Sequence, residues 1–282
     1  AVLRVAVPNK GQLAEPARDM LSEAGYLRAA TTRDLVVQDP DNDVEFFFLR
    51  PRDIAIYVGE GTLDLGITGR DMLLDSGAQA DEELPLGFAP STFRFAAPAG
   101  SASTLADLDG RTIATSYEGL LQAYLAREGI SARIVGLDGA VENAVALGVA
   151  DAVADVVATG TTLRKAGLEL VGDPILVSEA LVIRRTGAPA DPAVETFVRR
   201  LNSVMVARSY VLVDYDIPTE LVERAVRLTP GIESPTVSSL HDPAWSAVRA
   251  MVPALDVHRI MDDLYVLGAR GILVTNIHAC RL

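Results

Sequence analysis

Apolar residues come in short runs, broken by turn residues and by stretches at helical spacing. LRVAV (3–7) is the length of a buried strand, and Pro8-Asn9-Lys10-Gly11 turns the chain. Leu13, Ala17, Met20, Leu21 and Ala24 then recur every three or four positions, with Gly25 as the stop. LVVQ (35–38) and VEFFFL (44–49) are strand-like and flank an Asp-Pro-Asp-Asn-Asp turn at 39–43. Asp53 is placed to cap a helix through Tyr57, and DLGIT (64–68) is another buried strand, running into Gly69-Arg70-Asp71 and a new helix.

The pattern repeats in kind from about 91 to 182. RFAAPA (94–99), RTIAT (111–115), RIVGL (133–137) and DAVADVV (151–157) read as strands. Helices are predicted after Thr104, over 118–129, from Gly139 through Glu142, Ala146 and Leu147, and from Thr159-Gly160 onward. ILVSEALVIRR (175–185) reads as one long strand returning the chain to its first lobe, followed by a helix from Asp191 to about Arg208. Such alternation predicts an α/β architecture with two similar lobes, residues 1–90 with 183–209 and residues 91–182.

The remainder changes character. YVLVDYD (210–216), TVSSL (236–240), AWSAVRAMV (244–252) and GILVTNI (271–277) read as strands, with helices over 218–228 and 257–269. That βαββαβ order is the ferredoxin-like arrangement, a separate small domain over 210–282.

Composition narrows the function classes. Hydrophobic residues make up 49% and charged ones 22% of 282 residues, enough for sizeable cores and against long disorder. The net charge of −13 repels phosphodiester backbones, so nucleic acid is a poor partner, and an anionic ligand needs a local gathering of cations and backbone amides. No run of 18 apolar residues offers a membrane span. The first fifteen residues read as strand, turn and helix rather than as a secretory signal, so a cytoplasmic protein is expected. Lys10 stands out because the chain otherwise uses arginine, Lys165 apart.

The sharpest local signal is Asp155-Val-Val-Ala-Thr159-Gly160-Thr161-Thr162-Leu163. A buried strand runs through an acidic residue into a small hydroxyl-and-glycine loop that opens a helix. Small side chains let a phosphate approach the loop amides, the helix N-terminus adds partial positive charge, and the hydroxyls add donors. Asp155 would repel phosphate and suits sugar hydroxyls instead, so the whole describes a phosphorylated ribose site. Taken alone, the loop is equally an ordinary N-cap with Thr159 closing the helix. Lys10, Arg50, Arg52 and Arg70 with Asp71 follow predicted strands, where open α/β sheets place their ligand crevice; each cation alone is more often a solvated surface charge, but the shared strand-end position makes them together candidates to hold a diphosphate. Glu142 is either a helix-dipole partner or a site carboxylate. His241, His258 and His278 are too scattered for a metal set, Cys280 has no intrachain partner, Asp107 and Asp109 are turn residues, and Trp245 is expected to pack in the small domain.

With these residues on view, the chain resembles the ATP phosphoribosyltransferase family in its long form. The family pattern is met by Glu142, Gly148, Ala150, Val153, Asp155, Thr159, Gly160, Thr162 and Leu163 in order and spacing. LRVAVPNKGQL, FFFLRPRDIAIYV, DLGITGRD and PGIESPT are similar to the family as well. The resemblance implies two periplasmic-binding-protein-like lobes around a catalytic cleft and a C-terminal regulatory domain. It implies joining N1 of ATP to C1 of phosphoribosyl pyrophosphate, with Mg²⁺ carried by the substrate rather than by a protein cluster, and homo-oligomers, dimer and hexamer. On this basis Ala158, Thr159, Gly160, Thr161 and Thr162 would cradle the donor's 5′-phosphate, and Asp155 with Glu142 would meet the ribose. Lys10, Arg50, Arg52, Arg70 and Asp71 would serve the diphosphate and ATP. Asp216, Ile232, Thr236 and Gly271 would bind histidine as inhibitor. Two other classes stand beside this reading: a solute-binding or ligand-sensing protein, and a regulatory subunit whose cleft has lost its chemistry.

Overall fold

The structure is a computed structural model describing residues 1–27 and 34–282. The chain divides into two compact units, Ala1–Val198 and Arg199–Leu282.

The first unit opens with β1 (Leu3–Pro8), α1 (Ala14–Glu23), β2 (Val36–Asp39), β3 (Val44–Leu49), α2 (Pro51–Gly59), β4 (Leu65–Gly69), α3 (Arg70–Ser76) and β5 (Ala80–Pro85). It continues with β6 (Ser91–Pro98), β7 (Thr112–Thr115), α4 (Glu118–Glu128), β8 (Arg133–Gly136), α5 (Asn143–Ala146), β9 (Ala152–Val157), α6 (Thr161–Lys165), β10 (Leu168–Ser178), β11 (Ala180–Arg185) and the start of α7 (Pro192–Ser209). These strands build two sheets, ordered β2-β3-β1-β4-β11-β5 and β10-β6-β9-β7-β8. β1 runs parallel to β3 and β4, and β7 runs parallel to β8 and β9. Their carboxyl ends carry the turns with Lys10, Arg50, Arg70 and the 158–162 loop, where such sheets hold ligands.

The first sheet buries Val5, Val7, Phe46, Phe48, Leu65 and Ile67. Tyr26, Phe46 and Phe197 of α7 form an aromatic cluster, with Tyr26 5.7 Å from Phe46 and 5.2 Å from Phe197. Each such ring contributes about 1.5–3 kcal/mol by burial. The second sheet is apolar on both faces, Phe93 and Phe95 packing on one side and Ala96, Ala114 and Val153 on the other.

Some elements differ from the pattern reading. The expected single strand at 175–185 is two strands in different sheets: β10 pairs with β6, β11 pairs with β4 and β5, and Glu179 lies between. β5 escapes the apolar pattern because it is a sheet-edge strand whose Asp81, Glu82 and Glu83 are exposed. Asp53 is not the cap of α2. Arg50 holds that position with extended backbone and Pro51, whose fixed φ suits a first helical position, follows it. Asp107 does more than turn the chain, since it forms a reciprocal capping box with Thr104.

In the second unit, β12 (Tyr210–Pro218), α8 (Val222–Leu228), β13 (Thr236–Ser239), β14 (Trp245–Pro253), α9 (Val257–Leu267) and β15 (Arg270–Asn276) follow in order. The antiparallel sheet runs β13-β14-β12-β15, which is the ferredoxin-like topology. Period-two alternation along β12 buries Val211, Val213, Tyr215 and Ile217 in the core that includes Leu264 and Ala225 of the helices. Trp245 alternates with the buried Ser246 and Val248, so it sits half-buried on the other sheet face rather than in that core.

Candidate active site

Two cavities meet at the carboxyl ends of the first unit's parallel strands. One, of about 290 Å³, is lined from both sheets by Lys10, Gln12, Asp71, Met72, Tyr117, Val156, Ser178 and Glu179 among others. The second, of about 260 Å³, is lined by Glu142, Asp155 and the 158–162 loop, again with Gln12. Gln12 and Val156 line both, so the two cavities adjoin at these residues.

Asp71 opens α3 and is 6% exposed. Its Oδ1 accepts the Met72 N–H at 2.9 Å, and its own N–H donates to Ser178 Oγ at 3.1 Å. A Cβ on Gly69 would stand 2.3 Å from Asp71 Oδ1, so any larger residue there would displace the Asp71 carboxylate. Burial, and then the Asp71 charge, push the Tyr117 phenol well above its ordinary value, so it stays protonated near the Asp71 carboxylate.

The phosphate-loop candidate has a definite backbone. Gly160, at φ +74°, is the N-cap of α6 and no side chain caps that helix, so Thr159 does not close it. Its hydroxyl lies 3.1 Å from that of Thr161 instead. Arg164 Nη2 donates to the Thr159 carbonyl at 3.2 Å. Asp155 Oδ1 accepts the Val156 N–H at 2.8 Å. Burial chiefly lifts the Asp155 carboxyl above the usual carboxylate range; that amide opposes the rise and the Glu142 charge adds to it. Glu142 stands at the N-cap position of the four-residue α5 rather than inside a longer helix.

The arginines part company. Arg70, expected near a diphosphate, donates to both Glu82 oxygens at 2.6 and 3.2 Å and to the Val177 carbonyl at 3.0 Å. The Glu82 hydrogen bond raises its pKa further. Arg52 donates to Asp75 Oδ2 at 2.9 Å and to the Ser116 carbonyl at 2.7 Å. Nearby carboxylates of an acidic chain have taken both guanidinium groups. Arg50 is exposed, and none of the three lines either cavity. Lys10 does. Gln12, Tyr117, Ser178 and Glu179 were missed by sequence reasoning; the polar Ser178-Glu179 pair interrupting an apolar run was the available signal.

In the second unit, Asp216 Oδ2 lies 3.6 Å from where a Cβ of Gly271 would be. Gly271 has φ +58° where the β12–β15 ladder shifts register between Asp214 and Asp216. Thr236 faces Arg249 across β13 and β14, and Arg249 is paired with Asp214 at 2.8 Å. Ile232 is 39% exposed in the α8–β13 connection. A wide cavity of about 470 Å³ on this unit's helices, lined by Arg224, Arg227, Leu228, Asp263, Val266 and Leu267, includes none of these four.

Residues 50–203 match the family model described as ATP phosphoribosyltransferase, and residues 207–279 match one described as the HisG C-terminal domain. The ATP phosphoribosyltransferases of Paenarthrobacter aurescens and Streptomyces coelicolor are 63% and 62% identical, each over 100% of both chains. A solved ATP phosphoribosyl transferase (HisG:HisZ) complex from Thermotoga maritima is similar at TM-score 0.63 and 27% identity, over 72% of this chain and 98% of that one. With both family models matched in tandem and this identity sustained from end to end, the chain belongs to the ATP phosphoribosyltransferase family, in the long form that carries a C-terminal domain.

Proposed function

We propose that the two-cavity cleft transfers the 5-phosphoribosyl group of phosphoribosyl pyrophosphate to N1 of ATP, giving N1-(5-phosphoribosyl)-ATP and pyrophosphate in the first step of histidine biosynthesis. The observation that carries this is the lining of the second cavity: Asp155 and Glu142 lie beside the left-handed Gly160 loop, and Gln12 links that cavity to Lys10, Asp71 and Tyr117.

The C1–oxygen bond to pyrophosphate breaks, its electron pair leaves with the diphosphate, and the adenine N1 lone pair forms the new bond to C1. As the sugar becomes cationic, Asp155 and Glu142 stabilise it. Their mutual repulsion and the burial of Asp155 are relieved only when that positive charge develops, so the gain is larger in the transition state than in the ground state. The 158–162 loop holds the 5′-phosphate through backbone amides and the Thr159, Thr161 and Thr162 hydroxyls. Lys10, with Arg50 from the rim, serves the leaving diphosphate. Mg²⁺ would enter as the diphosphate's own counter-ion and would neutralise part of its charge.

Asp216, Ile232, Thr236 and Gly271 are assigned to feedback binding of histidine, Asp216 meeting its ammonium group. A cytoplasmic homo-oligomer, dimer and hexamer, completes the reading. Among the described residues no helix is long and apolar enough to cross a membrane. Mixing the protein with ATP, phosphoribosyl pyrophosphate, Mg²⁺ and pyrophosphatase tests the reaction through the near-ultraviolet absorbance of N1-alkylated adenine. Repeating it with histidine tests the second unit: suppression supports the assignment, and indifference removes it.

A further inference from the structure

The first unit's two sheets are joined covalently at residues 86–90 and at Glu179. Beyond the Arg70–Val177 and Asp71–Ser178 bonds close to Glu179, a further non-covalent connection centres on Asp75 of α3. Its Oδ2 accepts Arg52 Nη1 at 2.9 Å, and its Oδ1 accepts the Leu120 N–H, in the first turn of α4, at 2.9 Å. Arg52 meanwhile reaches the Ser116 carbonyl at 2.7 Å and lies over the Tyr117 ring, 4.4 Å from its centroid. The approach is close enough that a Cβ on Gly119 would stand 2.5 Å from the Asp75 carbonyl oxygen. Asp75 and Arg52 belong to the first sheet's helices, whereas Ser116, Tyr117 and Leu120 belong to the second sheet's side. Both oxygens of one carboxylate, 13% exposed, are thus spent on holding the two walls together.

We propose that Asp75 is a positioning residue for the transfer. With Arg52 it clasps the second wall of the cleft against the first and sets where Tyr117 meets Asp71 inside the cavity. This rests on the transfer taking place in that cleft. The chemistry explains the choice of residues. A carboxylate at the start of α4 faces the positive end of that helix. A planar guanidinium is the side chain able to bind a carboxylate and a carbonyl while stacking on an aromatic ring. Arg52 is therefore held as a strut between the walls, and Lys10 is left to meet phosphate.

Phosphoribosyl pyrophosphate keeps its 5′-phosphate and ribose contacts on the second wall when the clasp opens, whereas the step that needs both walls slows. Displacement of about 1 Å costs up to about a hundredfold in rate. The test compares Asp75→Ala, Asp75→Asn and Gly119→Ala with the parent chain, reading kcat, KM for phosphoribosyl pyrophosphate, the thermal midpoint and exchange of the Leu120 amide. Asp75→Ala and Gly119→Ala are expected to lower kcat about tenfold or more while KM rises by less than kcat falls, the misplacement acting mainly on the step. Asp75→Asn, which keeps an acceptor for the Leu120 N–H, falls in between. The Leu120 amide exchanges faster in Asp75→Ala. Because the two side chains share one clasp, the Asp75→Ala and Arg52→Ala losses should combine to less than their product in the double variant. Unchanged kcat in a folded Asp75→Ala protein would overturn the proposal, and so would losses that multiply in the double variant, since Arg52 would then act on substrate directly. If Asp75→Ala does not fold, Asp75→Asn decides by the same split. An inactive parent chain would instead sink the transfer reading, while Leu120 protection would still report the clasp.

Discussion

The two walls of the cleft are made of different material. The first sheet carries charged side chains just after its parallel strands, of which Lys10 and Asp71 line a cavity while Arg50, Arg52 and Arg70 do not. The second offers a backbone loop at 158–162 with the carboxylates Asp155 and Glu142 beside it. The loop's donors are backbone amides set by a left-handed glycine at φ +74°, so their placement does not depend on a side-chain rotamer. Cations in a chain of net charge −13 can be claimed, and Glu82 and Asp75 have taken Arg70 and Arg52. An acidic protein that handles anionic substrates thus relies on backbone at one wall and keeps few side-chain cations free at the other.

The largest effect should come from the second wall. Asp155→Ala should lower kcat by about 10²–10³, the scale of a lost transition-state electrostatic partner. Its thermal midpoint should hold or rise, because a desolvated carboxylate repelled by Glu142 has been removed. Steady-state kinetics beside a melting curve checks both, and a large fall in the midpoint would make Asp155 a structural residue.

Matching glycine substitutions compare the walls directly. Gly160→Ala forces φ +74° on a residue with a Cβ, costing about 1–2 kcal/mol, and should raise KM for phosphoribosyl pyrophosphate about tenfold. Gly69→Ala places its Cβ against Asp71 Oδ1 and should disturb the Tyr117–Asp71 pair while leaving that KM nearly unchanged. Equal effects on KM would erase the distinction drawn between the walls.

Acid dependence offers a subtler measure. Asp155 works ionised, and its pKa is raised in the fold, so the acid limb of kcat/KM should lie above the usual carboxylate range. The native state holds a proton there that the unfolded chain has lost. Stability from this group therefore falls as pH rises from the ordinary carboxylate value through the raised one. Glu142→Gln removes a like charge and should move the limb to lower pH, even as the rate drops. The smallest effect is expected of Arg70→Ala, whose guanidinium is bound to Glu82: KM should change less than about twofold, where Lys10→Ala raises it severalfold.

Much of the fold was legible because its signals are local. Strand runs, the helical spacing of Leu13 to Ala24 and the βαββαβ order of the second unit need only a window of neighbours. β5 was not legible, since an edge strand carrying Asp81, Glu82 and Glu83 has no apolar face to show. The break at Glu179 was hidden because β10 and β11 are each apolar and only pairing separates them. The same contrast runs through the site. The Asp155-to-Leu163 segment is contiguous, so its loop could be seen in the chain. Engagement of Arg52 by Asp75 and of Arg70 by Val177 spans separations of 23 and 107 residues, which no local pattern carries. Gln12 and Tyr117 became visible only when both sheets were in place.

The most direct measurement follows N1-alkylated adenine by its absorbance with the parent chain and Asp155→Ala side by side, in ATP, phosphoribosyl pyrophosphate, Mg²⁺ and pyrophosphatase. Rapid formation by the parent, lost in a variant that melts at the same temperature or above, is the predicted result. Undiminished formation by a folded Asp155→Ala protein, or none by the parent chain, would contradict the account.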